Sequence, residues 1–512
     1  MKKTTKVVLT IDILFSIVAF FLVIYGTQKY GPGVSADTVA YLNAADSLAK
    51  GEGLQYFAYT SPFIQWPPLY PAILAIPSLL GISLLTFSRF LNALFFALTI
   101  FVSVRMLRKL LSSWIVPFIF SGMCVIAFPL IKMSLYAWSE PMYLFFCATV
   151  FYILFTTKDF NASWLRPIFA MGILSAFACL TRYVGVTLVA AVCVYLLFRI
   201  KGWGNKLKIV FVYGSISVIP TLIFIIRNYM LSETLVGMRP AAEVTLTTNI
   251  IRTFKTIINW LLPGFEGITN SRLVLMLLII VLAVAIVYAF FRTIRLEAQR
   301  KYLVTFLLGY VALYLIYMII SATKVAFDPL GDRYLIPAFI PFIMIISVLL
   351  ENIIVIAKNN RIDKVLAVSV LILSLFVISF YTTSGIRQTY AGLKDAAAHG
   401  LSGYNSDTWL REGIILDRDL IEDADIIYSN NPNAINYIWD KKSHYTPKQD
   451  GIPLYSYESF LSESKDYENQ YLIWFGKEQS NSIYTKQMLE NSFAFTEIKR
   501  TAQYVIYQMN QK

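Results

Sequence analysis

Runs of about twenty predominantly apolar residues recur along the chain, and about twenty is what a helix needs to cross the hydrocarbon core of a bilayer. They fall near 7–26, 86–104, 114–131, 141–157, 167–181, 184–200, 208–226, 272–291, 302–321, 334–350 and 365–382. This pattern predicts about eleven transmembrane helices. The first run is too long for a signal-peptide core and has no small-residue cleavage site after it, so it reads as a retained helix. Three stretches between or after the runs are too long to be turns: 27–85, 227–271 and everything from 384 onward. Connections of that length usually carry function.

Inside those stretches the period changes. From Thr38 to Lys50, one helical face collects Tyr41, Leu42, Ala45, Leu48 and Ala49, with Asn43, Asp46 and Lys50 elsewhere and Gly51 just past the end. That arrangement predicts an amphipathic helix lying in the membrane interface. Next, "SPFIQWPPLYPAILAIPSLLG" (61–81) is a second apolar stretch broken by prolines, interfacial or half-inserted. The 227–271 segment mixes Arg227, Arg239, Arg252 and Lys255 with apolar runs such as "INWLLPGF" and reads as a loop that dips back toward the membrane. The tail alternates a helix near 406–420, a strand at 425–429, a helix after "NNPN", a strand at 471–475, a helix near 482–491 and strands near 493–498 and 502–508. No internal repeat stands out. The expectation is a polytopic α-helical membrane domain over 1–383 and a small extracytoplasmic α/β domain over 384–512.

Composition removes the soluble alternatives. The chain is 57% hydrophobic and 15% charged, with mean hydropathy +0.61, well outside the soluble globular range. Its net charge of +13 is topological. Basic residues collect at Lys2, Lys3 and Lys6, at Arg105, Arg108 and Lys109, at Arg199 to Lys208, at Arg292 to Lys301 and at Lys358 to Lys364, all on one side of an eleven-helix chain. By the positive-inside rule that side is cytoplasmic. The N-terminus is then cytoplasmic, the tail extracytoplasmic, and the protein sits in the cytoplasmic membrane. From residue 384 on, 13 basic and 17 acidic residues leave the tail slightly negative, and no clustered basic face suggests nucleic acid. Cys124, Cys147, Cys179 and Cys193 all lie in predicted helices, so no disulfide framework is expected.

Ionisable groups near membrane depth usually have a partner or a task. The candidates at the outer mouth are Asp37, Arg89, Glu140, Arg182, Arg227, Arg239, Lys324, Asp332 and Arg333. Each has a plainer reading. Asp37, with Ser35 and Thr38, can cap the helix that follows, and Glu140 before Pro141 is ordinary helix-start chemistry. Arg182 and Tyr183 can snorkel, and Arg333 can pair with Asp332. Several outward arginines together are harder to dismiss, because guanidinium forks suit a phosphate. "DAD" at 423–425 precedes a strand instead of ending one, which speaks against a metal pair, and Asn161-Ala162-Ser163, although a glycosylation sequon, lies on the cytoplasmic side.

In order, "SADTVAYLNAADSLAKGEGL", "WPPLYPAILA", "SRFLNALFFALTIFV", "SEPMY", "LTRYVGV", "RNY" and "DRYLIP" closely resemble the multi-span glycosyltransferases of the GT-C superfamily. The nearest members are bacterial relatives of protein O-mannosyltransferases and of lipid A aminoarabinose transferases. The resemblance covers roughly residues 1–350. It implies a polyprenyl-phosphate-linked sugar as donor, a glycan, lipid or protein acceptor, and inverting transfer on the outer face of the membrane. Asp37 matches the family's catalytic Asp, and Glu140 is the second acid offered as catalytic. Arg227 and Arg333, with Arg182, match basic residues that neutralise the departing lipid phosphate. Tyr41, Tyr70, Tyr183 and Arg89 are placed by position along a substrate groove. Where O-mannosyltransferases carry Asp-Glu this chain has Asp37-Thr38, so protein acceptors are not favoured. Without the paired acids of the oligosaccharyltransferases, no metal and no cofactor are expected. The competing readings are a transporter or flippase for lipid-linked sugars, which would show repeated halves and broken mid-membrane helices, and an envelope scaffold with the tail as its binding module.

Overall fold

An apolar run in hydrocarbon has to satisfy its own backbone, and a helix does so within one segment. The structure, a computed structural model, describes residues 2–58, 61–157, 160, 164–237, 239, 241–264, 274, 276–277, 298–326, 328–358, 364–410, 416–449, 456–476 and 483–512. Its helices in order are α1 (Lys2–Gly26), α2 (Ala36–Ala49), α3 (Leu69–Ser78), α4 (Leu84–Leu110), α5 (Ile115–Val125), α6 (Phe128–Leu135), α7 (Glu140–Thr156), α8 (Leu165–Thr181), α9 (Val186–Arg199), α10 (Trp203–Ser232) and α11 (Leu246–Leu261). They continue with α12 (Ala298–Lys324), α13 (Asp332–Leu335), α14 (Phe339–Lys358), α15 (Lys364–His399), α16 (Pro432–Ile438), α17 (Tyr457–Glu463) and α18 (Lys486–Leu489).

The chain is a multi-pass membrane protein. Among the described residues, five helices are long and apolar enough to cross a bilayer: Lys6–Gly26, Leu84–Leu110, Trp203–Ser232, Arg300–Lys324 and Asp332–Asn352. The run expected at 272–291, save residues 274 and 276–277, and the sequon at Asn161 lie outside the described residues. At 17 residues, α7 and α8 reach only about 25 Å at 1.5 Å per residue, short of a full span. The single helix expected over 114–131 is instead two, α5 and α6, meeting at a 49° bend. Pro129 in the first turn of α6 explains it, since proline has no N–H to return to the preceding turn. Carbonyls released there are met from α15: Tyr381 donates its hydroxyl to Met123 O (3.2 Å) and Thr389 to Ile126 O (2.9 Å).

By its internal contacts the chain forms two compact units. The first comprises Met1–Gln28, Gln65–Tyr70 and Arg89–Ala397 and contains most of the apolar helices. Small residues let its helices approach closely. A Cβ at Gly172 would stand 2.8 Å from Ile216, and beside it Ser175 and Tyr213 share a 2.7 Å hydrogen bond. Buried carboxylates tie the helices as well. Asp12 of α1 receives Arg108 at 2.7 Å and Arg105 at 3.3 Å from α4, while Glu351 of α14 receives Arg300 at 3.0 Å and the Ser112 N–H at 2.7 Å.

The second unit comprises Lys29–Ile64, Pro71–Ser88 and Ala398–Lys512. Helix α15 runs without a break to His399, well past residue 383. A short hairpin, β1 (Gln55–Tyr56) and β2 (Ser61–Pro62), precedes a five-stranded sheet of β3 (Ile426–Ser429), β4 (His444–Tyr445), β5 (Gln470–Phe475), β6 (Phe493–Arg500) and β7 (Tyr504–Gln511), in the order β4-β3-β5-β7-β6. Strand β3 is parallel to β4 and β5, whereas β7 is antiparallel to β5 and β6. In register, Leu472 lies opposite Tyr428 on one side and Tyr507 on the other. Alternating residues feed two cores, as pleating requires. Ile427, Ile435, Trp439, Ile473 and Ile506 fill one, and Tyr428, Phe460, Leu472, Phe493 and Met509 the other.

Two expectations fail here. Residues 401–410 are turns and bends, followed by a short 3₁₀ turn at Leu416–Ile421, instead of a helix near 406–420. Asn405 and Ser406 direct their side chains to backbone groups, the usual competition of such residues with helix. Helix α2, expected to rest its apolar face on lipid, instead buries Val39, Ala40, Tyr41, Ala44 and Ala45 within this unit, packed against β1 and α16.

Candidate active site

In the first unit, three segments far apart in sequence converge on one carboxylate. Glu140 opens α7 beside Pro141, and its N-cap Ser139 supplies no side-chain cap. The carboxylate is fully buried. Its Oε1 accepts Arg182 Nη1 at 2.5 Å and Arg333 Nε at 2.9 Å. Its Oε2 has no hydrogen-bond partner among the described residues.

Arg182 follows α8 in extended conformation (φ −148°, ψ 130°) and leads into one 3₁₀ turn, Tyr183–Gly185. A Cβ on Gly185 would stand 2.7 Å from Cys179 N and 2.8 Å from Ala178 C. Only glycine lets the chain double back so closely, and that return sets the direction of Arg182. Arg333 comes from the short α13. Its guanidinium lies over the Trp138 ring at 3.9 Å, and Trp138 stacks on Tyr136 with centroids 4.0 Å apart. Asn92 holds this aromatic pair by donating to Tyr136 O (2.7 Å) and Trp138 O (3.0 Å). The neighbouring Asp332 accepts Trp260 Nε1 at 2.8 Å.

Glu140 is the buried counter-ion of both guanidiniums, and the exposed Asp328 carboxylate lies 3.9 Å from Arg333 Nη1 at the rim. Both arginine side chains are 15–16% exposed while Glu140 is sealed, so the cations face outward and the anion behind them fixes their geometry. Planar forks held in this way suit bidentate binding of a phosphate or carboxylate. A second chain starts one residue on: Asn228 donates to the Tyr183 hydroxyl at 3.2 Å, and Arg227 donates to Asn228 Oδ1 at 3.1 Å.

Other candidates take different places. Arg89 donates to Ile24 O (2.6 Å) and Thr27 Oγ1 (2.9 Å) and so caps the end of α1. Tyr70 is fully buried and donates to Asn92 Oδ1 at 3.3 Å. Arg239 donates to Gln65 O at 3.3 Å. In the second unit, Tyr41 is buried against Phe63. Asp37 stands half-buried in the first turn of α2, where Ser35 and Thr38 form a reciprocal capping box. A carboxylate at that position is favoured by the helix dipole. The "DAD" acids are structural: Asp423 accepts the Tyr471 hydroxyl at 2.9 Å, and Asp425 accepts Asn469 N at 2.8 Å.

Sequence reasoning passed over Trp138, Asn92 and Asn228. Trp138 immediately precedes the quoted "SEPMY", and an aromatic next to the acid was the available signal; Asn92 and Asn228 stand inside the quoted "SRFLNALFFALTIFV" and "RNY", beside arginines that were singled out instead.

The sequence profile of the family described as "Dolichyl-phosphate-mannose-protein mannosyltransferase" matches residues 57–235, the stretch holding Glu140, Arg182 and Arg227. No curated protein matches the chain in sequence. Among solved structures, the chain is similar to ArnT from Cupriavidus metallidurans in the apo state, with TM-score 0.64, 14% identity and 99% of this chain and 98% of that one covered. ArnT from the same organism bound to undecaprenyl phosphate gives 0.62 at 14% identity, covering 97% of each chain. The archaeal oligosaccharyltransferase AglB from Archaeoglobus fulgidus, in complex with an inhibitory peptide and a dolichol-phosphate, gives 0.53 at 12% identity over 92% of this chain and 70% of that one. At such identities the structural likeness speaks for the fold alone: the chain has an ArnT-like GT-C fold, and its residues 57–235 resemble the mannosyltransferase profile.

Proposed function

We propose that this protein transfers a sugar from a polyprenyl-phosphate carrier to a glycan, lipid or protein acceptor, with inversion at the anomeric carbon. The reaction takes place on the outer face of the cytoplasmic membrane, the N-terminus being cytoplasmic and the second unit extracytoplasmic. The observation that carries this reading is the pair of guanidiniums held on Glu140. A lipid phosphate diester bears one negative charge that becomes two as the sugar departs, and donors oriented before reaction stabilise that change most effectively. Arg182 and Arg333 take this role, Arg227 supports them through Asn228 and Tyr183, and Glu140 positions the arginines. The undecaprenyl phosphate of the ArnT structure and the dolichol-phosphate of the AglB structure support the same carrier class here.

Asp37 is the general base, accepting the acceptor's proton as its oxygen attacks the anomeric carbon opposite the leaving phosphate. In membranes given the polyprenyl-phosphate sugars extracted from the producing cells, Asp37→Asn should lower transfer by about a hundredfold or more. Binding of undecaprenyl phosphate to the purified variant should stay at the wild-type level. Transfer near the wild-type rate would rule out the base role.

The broken α5–α6 pair favours the flippase alternative, because discontinuous helices mark many transport sites. Against it, carbonyls freed at this break are occupied by Tyr381 and Thr389. Undecaprenyl-linked sugar crossing protein-loaded vesicles without any product would decide for transport.

A further inference from the structure

The chain entering α2 is held from one side chain. Asn405, buried in the second unit, donates through Nδ2 to Tyr30 O at 2.7 Å and to Pro32 O at 2.8 Å, and its Oδ1 accepts Val34 N at 3.0 Å. All three backbone groups thus find their partner on one amide. Beside it, Tyr404 N donates to Val34 O at 2.8 Å. Gly403 permits the approach, since a Cβ there would stand 2.6 Å from Val34 O and 2.9 Å from Val34 N, both backbone atoms. Further back, Lys29 Nζ donates to Ala398 O at 3.2 Å. Only Ser35 and Ala36 separate this anchored stretch from Asp37, and Ser35 is the N-cap that starts the helix.

We infer that Asn405 is a positioning residue for Asp37: its amide fixes residues 30–34 and so sets where α2 begins and where the carboxylate points. This rests on the reading of Asp37 as the base. A primary amide suits the task because its donor and acceptor can serve carbonyls and an N–H in one strand of chain. Buried bonds of this kind are not made by solvent once the amide is gone. The second unit therefore contributes to the reaction by holding the segment that carries the base, apart from any part in binding acceptor.

The test uses the full chain in detergent, with hydrogen exchange read by mass spectrometry and transfer measured with polyprenyl-phosphate sugars extracted from the producing cells. Asn405→Ala should speed exchange across 30–41 while β5 and β7 keep their protection. Transfer should fall about tenfold or more, the range expected when a catalytic group is displaced by less than about 1 Å. The extract concentration giving half the maximal rate should not move, and the retained protection of β5 and β7 separates this outcome from a general loss of folded protein, which would lower the maximal rate in the same way. Gly403→Ala should give the same pattern by pushing Val34 instead of releasing it. Unchanged exchange at 30–41 in both variants would overturn the inference, and so would faster exchange with an unchanged rate. Asp37→Asn at the wild-type rate would instead overturn the base assignment and the catalytic half of this inference, leaving the exchange result to judge the anchoring alone.

Discussion

At Glu140 one buried carboxylate oxygen serves two guanidiniums. Removing one member of a buried ion cluster costs far more than the cluster gains over an apolar replacement, because the remaining charges lose their counter-ion. Glu140→Gln keeps the shape, deletes the buried charge, and leaves Arg182 and Arg333 without their shared counter-ion, with the exposed Asp328 still 3.9 Å from Arg333. The expected loss is about 3 kcal/mol, seen as a fall of several degrees in the apparent Tm of the detergent-solubilised protein. An unchanged Tm would mean that the arginines are held by other groups. Each of these three residues stood out in the sequence by sign and place, but their meeting did not, because Glu140 and Arg333 lie 193 positions apart. A local reading offered Asp332 as partner for Arg333, and no periodicity reaches across six helices to correct it.

Among elements, the edge strand β4 carries a titration. His444 pairs in parallel with Tyr428 of β3, the rings 6.5 Å apart. Burial pushes its pKa down to about 4, the Lys442 ammonium adds to that, and a hydrogen bond to the Phe57 backbone opposes it. A base whose folded pKa lies below its ordinary value takes up its proton first in the unfolded chain. Its contribution to stability is therefore complete above about pH 6.5 and is lost as the pH falls toward 4. The total is up to about 3 kcal/mol. Comparing the apparent Tm of wild type and His444→Gln from pH 7 to 4 isolates this group, since Glu463, held up by burial, titrates alike in both. The wild-type Tm should drop more steeply than the variant's, and parallel curves would refute the claim. Elements set by local rules were legible: the cap at Ser35, the strands at 426–429 and 470–475, and the apolar runs themselves. Those set by distant partners were not. The stretch near 406–420 reads as helix, and nothing in it shows that the preceding Asn405 gives its amide to residues 30–34.

Over the whole chain, the second unit has a consequence that no single element carries. It is assembled from Lys29–Ile64, Pro71–Ser88 and Ala398–Lys512, so its first segment cannot bury its apolar side chains without its last. The Tyr56 hydroxyl donates to Asn433 Oδ1 at 2.8 Å, and Tyr445 N donates to Ala58 O at 3.1 Å. A short helix and a two-residue hairpin are unstable alone in water, so ending the chain before Ala398 should leave 29–64 exchanging at nearly the rate of unstructured peptide. Glu140, Arg182 and Arg333 belong to the first unit, and binding of undecaprenyl phosphate to the truncated protein should persist within about threefold, each factor of ten being 1.4 kcal/mol. Transfer should disappear, because the base would no longer be held. A truncated protein that still transfers sugar would show that the tail is a cover and that Asp37 needs no support from it. One that loses both binding and transfer would show that the arginine cluster depends on the tail.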